Sequence, residues 1–215
     1  FLGPEGTNSD LAARNIFDDT ATYVPLPSIE DIFEKVAMSH SYYGVIPFEN
    51  SYQGVINSSL NCLIDYDLKI LKEFNFSVSH NLCSINEDVD LSSIKKITSH
   101  PQVFGQCNTW IRRNIPDAEK IIATSTAEAA SEATKDKELF CIANTYAIEL
   151  FKLHTHQENI QDSNDNKTRF LVIGKSIEDK SEHNKTSVMI NIADKPGSLM
   201  SCLLYTSDAA DDRLR

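Results

Sequence analysis

No run of apolar residues in this 215-residue chain is long enough to cross a bilayer, and no charged leader with an apolar stretch opens it. The expectation is a cytoplasmic protein without a membrane partner. Basic residues are few: 20 Lys and Arg stand against 31 Asp and Glu, for a formal charge of −11. The only basic pairs, Lys95-Lys96 and Arg112-Arg113, are short and isolated. Phosphate neutralisation needs clustered cations, so a nucleic-acid partner is not expected. Acidity also gives no help in attracting an anionic ligand, which must then be held by local donors. Among five cysteines (Cys62, Cys83, Cys107, Cys141, Cys202) there is no CxxC spacing, and the odd count leaves one over. That pattern predicts reduced thiols, with neither a disulfide framework nor a zinc site. His154 and His156 lack a third ligand in sequence, so no metal is expected. The turn Gly3-Pro4-Glu5-Gly6-Thr7 lacks the three-glycine spacing and downstream acid of a dinucleotide fingerprint.

What is present is an alternation of strand and helix patterns. Asn8-Ser9-Asp10 offers caps for a helix to about residue 17, and Ser28 caps a helix with Ile29, Ile32, Phe33 and Val36 on one face. Short strands are predicted at 22–25 and 43–47, a helix at 54–63 and a strand at 68–78. From about residue 79 the pattern restarts. Strands are predicted at 81–85, 97–99, 121–123 and 140–143. Helices are predicted at 102–113, from Ser125 to about residue 135, and from Asn144 onward. Residues 158–166 read as a loop, 170–174 as a strand, 177–185 as a charged linker and 186–192 as a strand. This is an α/β chain with helices expected on both sheet faces.

Three stretches put hydroxyl or amide groups beside apolar strand-like residues. They are Pro47-Phe48-Glu49-Asn50-Ser51, the run Ser99-His100-Pro101-Gln102-Val103-Phe104-Gly105-Gln106-Cys107, and Asn166-Lys167-Thr168-Arg169-Phe170. Such stretches present polar atoms to a small ligand from the end of a buried strand. With Gly3-Pro4-Glu5-Gly6-Thr7 and Ser125-Thr126-Ala127-Glu128-Ala129-Ala130, in this order, they resemble prephenate dehydratase.

The resemblance implies a two-lobed, periplasmic-binding-protein-like catalytic domain over 1–177 with a cleft between its lobes. Lobe one would hold about 1–78 and 166–177, and lobe two about 79–165. A linker (178–185) and a truncated α+β ACT regulatory domain (186–201) would follow. The tail 202–215 resembles an in-frame translation of a sequencing adapter and is set apart from the fold. Opening at Phe1 without an initiator Met, the chain is expected to lack a few native residues. In the intact protein the family implies a homodimer or homotetramer, with L-phenylalanine an allosteric inhibitor of the full-length form only.

The implied reaction is the decarboxylating dehydration of prephenate to phenylpyruvate, water and carbon dioxide in phenylalanine biosynthesis, a carbon–oxygen lyase reaction. Arogenate dehydration and a non-catalytic small-molecule-binding module are the alternatives. Aromatisation drives the reaction, so no cofactor, metal or covalent intermediate is expected, and the protein must only orient two carboxylates and give a hydrogen bond to the departing hydroxyl. The Thr-Arg-Phe motif makes Thr168 the leaving-group donor. Glu49 is a second-ranked acid, and Asn50 and Ser51 are further donors. Ser99 and Gln106 bracket a strand-to-helix corner that could cradle a carboxylate. His100 is an acid/base candidate or a corner residue bonded to backbone. Ser125 and Thr126 are ligand contacts or a plain helix cap, and Thr7 is a fourth contact. Arg169 either pairs with a substrate carboxylate or salt-bridges an acid such as Glu49. Neighbouring strand residues face opposite sides, so Thr168 and Arg169 cannot both enter one cleft. Phe170 shares the face of Thr168 and would wall the substrate ring.

Overall fold

The structure is a computed structural model that describes residues 1–18, 20–163, 165–176, 185–188 and 190–205. The chain begins with α1 (Asn8–Ile16), α2 (Ile29–Met38), β1 (Gly44–Asn50), β2 (Gly54–Val55), α3 (Asn57–Asp65) and β3 (Lys69–Ser77). It continues through β4 (Asn81–Ser84), β5 (Lys96–Ser99), α4 (Pro101–Gln106), α5 (Asn108–Asn114), β6 (Glu119–Ile122), α6 (Thr126–Ala133), β7 (Leu139–Ala143), α7 (Thr145–Phe151) and β8 (His154–Gln157). It then forms β9 (Lys167–Gly174) and, in a separate compact unit spanning 179–215, α8 (Ser198–Tyr205). None of the described helices is long and apolar enough to cross a membrane.

Residues 1–178 carry two sheets. The first is antiparallel, in the order β2-β1-β9-β3, so that the last strand in sequence is inserted between two early ones. The second runs β6-β5-β7-β4-β8, with β5 parallel to both β6 and β7 and with β4 and β8 antiparallel. The chain therefore crosses from the first sheet to the second after β3 and returns ahead of β9. Alternation along each strand feeds two cores per sheet. In the first, Ile46, Leu171 and Ile173 pack against Ile32, Phe33 and Val36 of α2, while Val45, Phe170 and Val172 pack against Ala12 and Ala13 of α1. In the second, Ile97, Phe140 and Ile142 meet Phe104 and Ile111, while Cys141 and Ala143 meet the alanines of α6. At Gly44 a Cβ would lie 2.7 Å from Ile32 Cγ2 and 2.8 Å from Ile173 Cγ1, so the close seat of α2 on this sheet requires glycine.

Several expected elements differ. No strand forms at 22–25, where Pro25 and Pro27 withdraw backbone donors; Leu26 alone bridges to Leu2. The helix expected at 54–63 starts later, because Gly54 (φ +75) and Val55 first pair with β1 as β2. The helix expected at 102–113 is two helices. The Asp162 carboxylate, arriving from the return crossover, accepts the Thr109 N–H at 2.9 Å and the Trp110 N–H at 3.2 Å, giving α5 an N-terminus of its own. Strand β8 was not foreseen; its burial pattern is mostly exposed, as suits an edge strand.

In the second unit, the described residues from 186 to 192 form no strand. No other strand among its described residues is there to take the backbone hydrogen bonds, and a lone strand is not stable in water. Helix α8 includes Cys202, Leu203 and Leu204. The rest of the tail, 206–215, and the linker apart from Lys185 lie outside the described residues.

Four of the cysteines are buried, and Cys83 and Cys141, directly opposed on β4 and β7, bring their sulfurs to 3.3 Å. Burial pushes the Cys107 thiol up to about 12, with the Asp162 charge adding to the effect. Cys62 is raised chiefly by burial, and Cys141 by its contact with Cys83 and by burial. The thiolate is the reactive form, so these groups should be inert while folded. A thiol-reactive dye at pH 8 should therefore label no more than one site, Cys202, in the native protein, and all five in denaturant. Rapid labelling of two or more sites in the native protein would contradict this packing.

Candidate active site

Strands β1 and β9 pair so that Asn50 lies opposite Thr168, and Glu49 opposite Arg169. The turn after β1 is stapled to the entry of β9. Ser51 donates its N–H to the Lys167 carbonyl at 2.9 Å and its hydroxyl to the Asp165 carbonyl at 3.0 Å, while Lys167 N–H donates to Ser51 Oγ at 3.0 Å. Ser51 thus holds the turn, and its hydroxyl is occupied by backbone rather than offered to a ligand.

The orientation of the Asn50 amide follows from its neighbours. Its Oδ1 accepts the backbone N–H groups of Tyr52 at 3.0 Å and Gln53 at 3.3 Å, which can only donate. The other end is therefore the NH2. It donates to Asn166 Oδ1 at 3.0 Å and to Thr168 Oγ1 at 2.9 Å, with all three residues buried. Because Thr168 accepts from Asn50, its own hydroxyl proton remains available, and no described residue accepts it. A buried hydroxyl, oriented by a fixed amide and with its proton unspent, is a preorganised hydrogen-bond donor.

Glu49 and Arg169 occupy the other face of the sheet. Arg169 Nη2 lies 2.8 Å from Glu49 Oε2, Nη1 lies 3.7 Å from Glu73 Oε2, and the guanidinium sits 5.0 Å from the centre of the Phe48 ring. Strand alternation turns both away from Thr168, and each is the other's partner: of the two alternatives for Arg169 the structure has the salt bridge, and Glu49 is placed on the face away from the donor. The role of Phe170 is corrected. It shares the Thr168 face but is only 1% exposed, stacked on Phe74 at 5.5 Å and edge-on to Phe76 at 6.1 Å. It is core beneath the donor, with no surface left to wall a ring.

In the second sheet, the segments leaving β5 and β7 turn to opposite faces, the topology at which open parallel sheets commonly bind ligands. Ser99 ends β5 there, but it is fully buried and its hydroxyl donates to the Ile142 carbonyl at 2.8 Å, so it ties β5 to β7 instead of facing a ligand. His100 caps α4, its Nδ1 accepting the Gln102 N–H at 3.3 Å. Ser125 Oγ accepts the Glu128 N–H ahead of α6, and Thr126 is buried in its first turn. Thr7 Oγ1 caps α1. These contacts are the backbone alternatives for His100 and Ser125, and Thr7, expected as a ligand contact, has its hydroxyl bonded to backbone.

Asn144, which caps α7, donates its amide to the Gly6 carbonyl and to Asn8 Oδ1, both at 3.0 Å. A Cβ on Gly6 (φ +83) would meet Ala127, Leu150 and Phe151 at 3.4 Å. The glycine turn before α1 therefore seats against α6 and α7, and the elements of the two sheets touch at Gly6 and Asn8 as well as at the crossovers.

Gln106 faces the crossovers. Its Oε1 lies 2.6 Å from Nε2 of His80, and its carbonyl accepts the Asp162 N–H at 2.7 Å. His80 donates its own N–H to Gln161 Oε1 at 3.0 Å. Gln106 thus belongs to a partly buried lock on the chain crossings, and no hydrogen bond among the described residues joins it to Thr168. Sequence reasoning missed His80, Asn144, Asp162 and Asn166 as working residues; all four act through partners distant in sequence, and only Asn166 lay within a quoted motif.

Burial holds the His80 imidazole below its ordinary range, against the opposing bond to Gln106. The unfolded chain therefore takes up this proton first as pH falls below about 6.5, and folding stability is lost on the acid side. The fall in Tm between pH 7.5 and 5.5 should be larger for the wild type than for His80→Gln. Equal falls would show that His80 carries none of the acid sensitivity.

A family model for prephenate dehydratase matches residues 1–178. A bifunctional chorismate mutase/prephenate dehydratase from Aquifex aeolicus is 34% identical over 203 residues, covering 94% of this chain and 56% of that protein. A prephenate dehydratase from Methanocaldococcus jannaschii is 33% identical over 207 residues, covering 93% and 74%. The chain thus spans little more than half the length of the bifunctional relatives. Among solved structures, prephenate dehydratase from Arthrobacter aurescens in complex with L-Phe superposes with a TM-score of 0.80 at 26% identity, covering 95% of this chain and 70% of that one. The Staphylococcus aureus enzyme superposes at 0.79 with 30% identity, covering 94% and 75%.

Proposed function

This chain belongs to the prephenate dehydratase family, and from that premise we propose that it converts prephenate to phenylpyruvate, water and carbon dioxide, a carbon–oxygen lyase reaction of phenylalanine biosynthesis. The bond to the ring carboxylate breaks as carbon dioxide leaves, and its electron pair enters the ring. The ring hydroxyl departs as water, taking up one proton. Thr168 donates the hydrogen bond that carries charge off the leaving oxygen. Its oxygen is held by Asn50, so reorganisation at the moment of reaction is small. The single observation that carries this reading is the Asn50 to Thr168 bond at 2.9 Å, which leaves the hydroxyl proton without a protein acceptor among the described residues.

The domain reading extends the same proposal. Lobe one would comprise the first sheet with α1 to α3, and lobe two the second sheet with α4 to α7, with the cleft between them. Residues 186–201 would be the opening of an ACT domain. L-phenylalanine inhibition and homodimer or homotetramer assembly would then belong to the full-length cytoplasmic protein. The test is phenylpyruvate formation from prephenate by this chain at neutral pH. Turnover above the uncatalysed rate supports the proposal. Prephenate bound by folded protein without turnover would replace it with the binding-module reading.

A further inference from the structure

We infer that Asn166 is a positioning residue for the Thr168 donor, acting through Asn50; the inference rests on the reading of Thr168 as the leaving-group donor. Asn166 is 2% exposed and directly precedes β9. Its Oδ1 takes one of the two Asn50 amide hydrogens at 3.0 Å, and Thr168 Oγ1 takes the other at 2.9 Å. Both Asn50 hydrogens are thereby spent, the Lys167 carbonyl being a longer third contact at 3.5 Å, and the Asn50 oxygen is held by two backbone N–H groups. Without Asn166 the amide could rock about its long axis, and the hydrogen aimed at Thr168 would no longer be fixed. The Thr168 hydroxyl could then turn and spend its proton elsewhere.

The main chain of Asn166 has a second task. Its carbonyl accepts the Val78 N–H at 3.0 Å, joining the outgoing crossover to the returning one. One residue therefore joins the point where the chain passes between the two sheets to the amide that orients the donor. The geometry of the donor is set by the crossover as well as by the strand that carries it. Displacing a reacting group by about 1 Å can cost ~10²-fold in rate.

The test compares Asn166→Ala with Asn166→Asp in the full chain. Asp keeps an oxygen acceptor facing Asn50, and Ala removes it. Asn166→Ala should lower kcat by ~10- to 100-fold with KM within about threefold, while Asn166→Asp should stay within about fivefold of wild type. Rates are to be taken per folded molecule, with the fraction folded read from thermal melts. An unchanged kcat in Asn166→Ala, or equal losses in both variants, would overturn the inference. The Asn50 side-chain amide resonances give a readout independent of turnover. They should be two resolved, slowly exchanging protons in the wild type, with one shifted and exchanging faster in Asn166→Ala. If the wild type makes no phenylpyruvate, the functional reading fails, yet these resonances still decide whether Asn166 holds Asn50; unchanged resonances would overturn that too.

Discussion

Thr168→Ala should lower kcat for phenylpyruvate formation by ~10²- to 10⁴-fold, the range typical of a lost proton-donating group, and leave KM within about threefold. The asymmetry follows from where the contact matters. In bound prephenate the ring hydroxyl is an ordinary neutral group, and a hydrogen bond to it exchanges for one to water at little net gain. As the carbon–oxygen bond breaks, negative charge gathers on the departing oxygen and the same bond strengthens. An interaction made chiefly in the transition state lowers kcat and kcat/KM together when removed. The protein fold should barely notice, since the Thr168 side chain is small and its hydrogen-bond partner among the described residues is the Asn50 amide, which keeps its bonds to Asn166, Tyr52 and Gln53. Steady-state kinetics at neutral pH, with a melt to check folding, measure this directly. A matched rise in KM with unchanged kcat would make Thr168 a ground-state binding residue instead.

Phe170→Ala should cost ~3–5 kcal/mol of folding stability, the usual range for emptying a buried aromatic site. That is a large share of the ~5–15 kcal/mol available to a typical domain. Phe170 packs with Phe1, Ala12, Ala13, Val45 and Val172, stacks on Phe74 and meets Phe76 edge-on, so the cavity is walled by both neighbouring strands and α1. Phe170→Leu refills most of that volume and should cost less than ~1.5 kcal/mol, with KM unchanged per folded molecule. Urea denaturation gives the stabilities, and the midpoint should fall while the slope holds. If Phe170 instead walled the substrate ring, both variants would raise KM severalfold with the midpoint barely moved.

Local chemistry was legible in the sequence, and long-range pairing was not. Ser28, Ser125 and Asn144 cap their helices as their residue types require, because the bond each makes closes within three residues. The first cap is Thr7 rather than the Asn8-Ser9-Asp10 run, a shift of one turn position. The buried strands β1, β7 and β9 are marked by apolar runs, and the period of two alone forces Thr168 and Arg169 apart. What lay beyond reach were partners set by the crossings. Nothing near Ser99 in sequence points to the Ile142 carbonyl, and nothing near Gln106 points to His80. The split between α4 and α5 depends on Asp162, 53 residues downstream of Thr109. The strand expected at 186–192 had the right composition but no partner strand among the described residues, and composition alone does not satisfy a backbone.

The hydroxyl proton of Thr168 is the centre of this account, and one comparison isolates it: kcat for Thr168→Ser against Thr168→Val. Ser keeps the oxygen that accepts from Asn50 and the proton that it leaves free, while Val keeps the branched shape and loses both. Ser is predicted to stay within about tenfold of wild type and Val to fall ~10²-fold or more, to the level of the Ala variant. A Val variant that turns prephenate over at the wild-type rate would contradict the assignment.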